Sequence, residues 1–197
     1  MKILLVSCLL FGAISIAFAQ KKKSMYFIVP QVALLNGDQS VSSQLSLVGG
    51  WEKNKWGFGL GAAIDYYKVR TAPIFLSTHY YLNETKQFSA YASLGTNIAW
   101  PLENQFTNNF NRVGWSSIQH KGFKNGMYTD WGIRYLFLNS KLNGLTIALG
   151  YSTKSVTENF DETIYNPMII GPASITIVPR TLDYKFNRIA ITIGYRL

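Results

Sequence analysis

Cysteine is almost missing from this chain. The single one among 197 residues is Cys8, inside an N-terminal segment that reads as a cleaved leader. A mature chain without cysteine has no disulfide scaffold, no thiol nucleophile and no Cys-based metal site. Histidine is nearly as scarce, with His79 and His120 alone. No HExxH pair, nucleophile elbow, P-loop or EF-hand loop occurs. "GFGLGA" at 57–62 has the glycines of a dinucleotide fingerprint, but they alternate along a strand and open no helix. Acidic residues are few, 10 against 19 Lys and Arg, for a formal charge of +9. Apart from Lys21, Lys22 and Lys23 the basic residues are scattered, so no nucleic-acid surface is expected. No cofactor is implied.

The leader is "MKILLVSCLLFGAISIAFAQ". A basic Lys2 precedes an apolar run, and Ala17-Phe18-Ala19 has the small-x-small pattern of a signal-peptidase site. The run is short for a membrane anchor, which needs about 20 apolar residues. "LVSC" (5–8) comes too early for a lipoprotein box, with apolar residues continuing past it. Residues 1–19 are therefore expected to be a signal peptide, and 20–197 one domain.

No helical stripe follows Gln20. Apolar residues instead recur at every second position in segments of about ten, which is strand periodicity. "WGFGLGAAIDYY" sets Trp56, Phe58, Leu60 and Ile64 opposite Gly57, Gly59, Gly61 and Asp65. The same alternation runs through 127–137, 145–154 and 184–197, and strand-like segments lie near 25–35, 41–51, 73–82 and 88–98. That makes eight. Pro30 interrupts the first and predicts a bulge or altered pairing there. Connections at 52–55, 83–87 and 138–144 are short, whereas 99–126 and 155–183 are long and read as loops. Tight turns then gather at one rim and extended loops at the other, as in bacterial outer-membrane barrels.

The face opposite the large apolar residues is rich in Gly, Ala, Ser and Thr, which suits a narrow lumen better than a water-facing surface. The apolar face is therefore expected to meet lipid. A lipocalin-like soluble barrel would reverse the faces. Asp65, His79, Asp130, Arg134 and Arg188 should then line the lumen as a structural ion-pair network, since an Arg facing lipid near the midplane costs about 2–4 kcal/mol. Trp51, Trp56, Tyr80, Trp100 and Tyr195 near strand ends suit interfacial girdles. The expected fold class is all-β: a single closed, antiparallel, up-and-down transmembrane barrel. Eight strands are expected, or ten if "MIIGPASITIV" (168–178) hides two more, against which Pro167, Pro172 and Pro179 argue.

The chain ends in "RIAITIGYRL". Ile189, Ile191, Ile193, Tyr195 and Leu197 alternate as in the C-terminal assembly signal of outer-membrane proteins, with Leu197 in place of the usual Phe. A last strand of this kind is what closure against the first strand requires, because open edges are prohibitive in hydrocarbon. "GLGAAIDYYKVRTAPIFLSTHYYLN" (59–83), "AYASLG" (90–95) and the final "IGYRL", with Ala19-Gln20 at the leader's end, together resemble the small outer-membrane β-barrel domain proteins of the Bacteroidota. The resemblance implies an integral barrel of the bacterial outer membrane and no agreed activity or catalytic residues.

The functional expectation is thus non-catalytic: membrane integrity, adhesion or surface interaction through 99–126 and 155–183. Expected partners are outer-membrane lipid, lipopolysaccharide and the barrel assembly machinery, with the protein a monomer. The alternatives are a small pore, and a lipid-modifying enzyme that would draw on His79 or His120 with Ser116, Ser117 and Glu103.

Overall fold

A computed structural model describes residues 25–37, 40–102, 116–140, 143–166 and 174–197. The leader 1–19, Glu103 and residues 167–173 lie outside them. Nine strands run in order: β1 (Met25–Gly37), β2 (Ser40–Lys53), β3 (Trp56–Asp65), β4 (Thr71–Tyr81), β5 (Phe88–Ala99), β6 (Ser116–Lys124), β7 (Gly126–Ser140), β8 (Asn143–Asn166) and β9 (Ser174–Arg196). Among the described residues there is no helix. Eight strands pair antiparallel as β8-β7-β5-β4-β3-β2-β1-β9, and β9 returns to β8, closing an up-and-down barrel; β6 stands outside it.

The register determines the barrel's shape. One circuit of paired residues, Met25–Glu52–Gly57–His79–Tyr91–Gly132–Gly150–Ala190, comes back to β1 at Leu35, ten residues past its start. With strands about 4.8 Å apart and a rise of about 3.3 Å per residue, that stagger tilts the strands by about 40° and gives a radius of about 8 Å. A cylinder this narrow is filled by its own side chains. Alternation does the sorting. In β3, Gly57, Gly59, Gly61, Ala63 and Asp65 point inward, and Trp56, Phe58, Leu60 and Ala62 point outward. Inward glycine makes room for large neighbours: a Cβ on Gly57 would overlap the His79 ring, and one on Gly61 the Phe75 ring.

The outer wall is a continuous apolar surface that includes Ile28, Leu34, Leu47, Leu60, Leu76, Leu94, Ile133, Leu149 and Ile191. At the rim of tight turns it is bounded by aromatics. Tyr26, Trp51, Trp56, Tyr80, Phe88, Phe137 and Tyr195 stand within about 7 Å of one another in height, given the tilt. Trp56 packs on Tyr80 with ring centroids 4.8 Å apart, and Phe88 on Tyr135 at 4.8 Å. At the same rim Lys55 bonds Glu84 across two turns, a hydrogen bond that raises the Lys55 pKa above its ordinary value.

Two regions differ from the sequence expectation. Much of 99–126 and 155–183 is strand rather than loop. The β8–β9 ladder continues unbroken from Gly144↔Arg196 to Asn166↔Ser174. Above Lys154, β8 exchanges β7 for β6 as its second neighbour, so a three-stranded sheet rises beyond the barrel rim. The barrel does not widen to ten strands. The extension has no apolar strand rhythm in the sequence because polar residues fall on both faces: Thr157, Asn159 and Asp161 on one, Glu158 and Glu162 on the other. Pro179 is tolerated because β9 meets β1 only through Ile189–Gly194 and Leu197. The N atoms of odd-numbered β9 residues before this point face an edge with no strand partner among the described residues, where a missing N–H breaks no ladder.

Pro30 acts differently. It sits in the closing seam, where Ile28 and Leu197 exchange both backbone hydrogen bonds (3.3 and 2.9 Å). The registered ladder resumes only at Gln31↔Gly194. The effect is a gap, not a bulge.

Candidate functional site: the filled lumen

The inward side chains form three polar layers along the axis. The lowest, at the turn rim, is built on Glu52 at the end of β2. Its Oε1 accepts from the Tyr81 hydroxyl at 2.7 Å and lies 2.8 Å from His79 Nε2. It also pairs with Arg196 Nη1, which touches the Tyr81 hydroxyl as well. Phe27 packs edge-on to the His79 ring at 5.4 Å and lies under the Arg196 guanidinium at 5.1 Å. Glu52, His79 and Arg196 are all buried.

The middle layer is mostly hydroxyls. Arg134 stands over the Tyr91 ring at 4.9 Å, and the Tyr91 hydroxyl donates to Asp130 Oδ1 at 3.4 Å. Gln44 donates to the Tyr128 hydroxyl at 3.1 Å, and Ser93 to Ser77 at 3.1 Å. These groups enclose a cavity of about 20 Å³. A second cavity, of about 10 Å³, lies between Arg134 and Arg196. Each has room for about one water.

The upper layer centres on Asp65. Oδ1 accepts from Lys154 Nζ at 3.0 Å, and Oδ2 pairs with Arg188 Nη1. Lys154 reaches on to the Val69 carbonyl at 2.8 Å, and Arg188 Nη2 donates to Ser152 at 2.8 Å. Asp65 Oδ1 also caps the turn by accepting from the Tyr67 amide at 2.8 Å. Tyr67 packs against Phe186, and Phe186 stacks on Tyr184, which donates to Glu158 at 2.9 Å at the foot of the extension. Burial, then the bond and charge of Glu158, push the Tyr184 pKa up to about 12.

All five residues singled out from the sequence thus face the interior, but they do not make one network. Asp65 and Arg188 meet; His79 belongs to the opposite rim; Asp130 and Arg134 both meet Tyr91 between them. Sequence reasoning missed Glu52, Lys154 and Arg196, the ions that complete the two rim layers. Glu52 falls in the short connection at 52–55, and Lys154 and Arg196 were not singled out. Their parity was the available signal, because both share the inward, even-numbered positions of β8 and β9.

Chemically, the two rim layers are paired ions, Glu52 with Arg196 and Asp65 with Lys154 and Arg188, whereas the buried Nε atoms of Arg134, Arg188 and Arg196 have no hydrogen-bond partner among the described residues. His79 is held by Glu52, and among the described residues no group of three His, Cys, Asp or Glu could hold a metal ion. The side chains of Ser116, Ser117 and His120 lie outside what the structure describes. No protein-family model matches this chain, and no curated protein matches it.

Proposed function

We propose that this protein is an integral barrel of the bacterial outer membrane with a non-catalytic role, and that the β6–β8–β9 extension carries its surface interaction. One observation carries the reading: large apolar side chains face outward around the wall, while Glu52, Asp65, Lys154, Arg188 and Arg196 are buried inside and pair. An eight-stranded barrel standing in water would have the reverse arrangement. The ten residues of β3, at the tilt derived above, rise about 25 Å, the height of an outer-membrane apolar band.

The orientation follows from the rims. The tight turns would face the periplasm, and the extension would project outward. Ile189, Ile191, Ile193, Tyr195 and Leu197, all on the outer wall, would serve as the signal read by the assembly machinery. Membership in the Bacteroidota outer-membrane barrel domain family, with a cleaved leader at 1–19 and a monomeric state, belongs to the same reading. Lipid and lipopolysaccharide would be its surroundings. The closed ion layers and the small lumen cavities favour a plug over a pore. On the extension, Ile175 and Ile177 are each 62% exposed beside the free edge of β9, which favours contact with a partner.

Gel mobility of the outer-membrane fraction, boiled and unboiled, tests the reading. A closed membrane barrel shifts on boiling. A protein found in the soluble periplasm, with no shift, would overturn it.

A further inference from the structure

The outer wall carries an apolar groove of about 660 Å³ crossing β9, β1, β2 and β3. Its two ends coincide with two places where a strand proline breaks the ladder. At the seam, Pro30 lies two residues beyond Ile28 and so faces β9 in the same way. The shared register sets it opposite Tyr195. A proline has no N–H to give, so the Tyr195 carbonyl lacks its ladder donor.

Pro73 repeats the arrangement on β4. The bond from Tyr81 N to the Lys55 carbonyl, 2.8 Å, shows that odd-numbered β4 residues face β3. Pairing stops at Ala62↔Ile74 and resumes at Asp65↔Thr71, leaving the Ala63 carbonyl without its donor. Pro30, Gly194 and Tyr195 line one end of the groove, and Ala62 and Ala63 the other. Three strand spacings, about 15 Å, separate the two gaps.

The lining is apolar but its ends hold acceptors short of a donor. Bulk hydrocarbon fills such a groove yet cannot satisfy a carbonyl, and an unmet backbone group is costly in that medium. We propose that the groove seats an acyl lipid bearing a hydroxyl or amide N–H, which donates to the Tyr195 carbonyl while the chain lies along Val32, Leu45, Leu47 and Ala62. The proposal rests on the outer-membrane reading above.

The test uses the purified full-length barrel in detergent, given equal 3-hydroxymyristate and myristate and read by native mass spectrometry. Wild type should retain the hydroxylated acid about five- to tenfold over the other, the scale of one net hydrogen bond. Pro30→Ala supplies the missing N–H, so the preference should vanish while myristate is still retained. Ala62→Trp fills the groove and should lose both. Equal retention in wild type, retention of neither, or a preference that survives Pro30→Ala overturns the proposal. Each sample is also run boiled and unboiled. A heat shift without a preference defeats only the lipid seat, whereas absence of the shift in wild type defeats the membrane reading beneath it.

Discussion

Asp65 and Arg188, 123 residues apart in the chain, form an ion pair with both side chains fully buried, tying β3 to β9 across the lumen. Breaking such a pair by removing one partner leaves an uncompensated buried charge. Removing two charges from water costs several kcal/mol per ion, which attraction repays only when both partners are present.

Asp65→Ala should therefore destabilise the barrel by about 3–5 kcal/mol, because it strands Arg188 and Lys154 together. Replacing the trio by apolar residues of similar volume should recover most of that loss. Urea unfolding in lipid vesicles measures both. A single variant as stable as wild type would mean that water already reaches this layer.

At the opposite rim, Gly57 and His79 are coupled by space rather than charge. Gly57→Val should cost about 1–3 kcal/mol through overpacking. His79→Ala in the same chain should relieve part of it, giving a favourable interaction energy in a double-mutant cycle. Strict additivity would show that the His79 ring moves aside freely.

Arginine substitutions on the outer wall test whether it meets lipid. Leu60→Arg, at mid-height and facing outward, should cost about 2–4 kcal/mol in a bilayer. Ile177→Arg, on the extension, should stay within about 0.5 kcal/mol. Comparable small effects at both positions would argue that the apolar wall does not face hydrocarbon.

Removing residues 165–180 shortens the β8–β9 hairpin but leaves every barrel pair from Gly144 to Lys154 in place. The heat shift should persist, and cell-surface attachment should fall to that of cells lacking the protein. Unchanged attachment would remove the extension from the proposed role.

How much of this could be read from the chain depends on what each residue contacts. β3 was legible because its outward Trp, Phe and Leu alternate with inward Gly, and lumen width leaves no other arrangement. Parity places His79 inside, and parity with the cost of a lipid-facing Arg places Arg134 there. The upper halves of β8 and β9 were not legible. A strand with polar residues on both faces has no apolar rhythm, and it forms because the hairpin below fixes its register and β6 supplies β8 with a second neighbour.

By itself, then, the sequence determined the period of two, the eight strand segments of the barrel with a ten-stranded alternative left open, the turn rim and the face of each residue within those segments, since all of these are local consequences of alternation and turn chemistry. Only the tertiary structure decided which ions meet. Glu52 with Arg196 and Asp65 with Lys154 and Arg188 depend on a ten-residue stagger around the closed sheet, a quantity that exists only once the last strand has paired with the first.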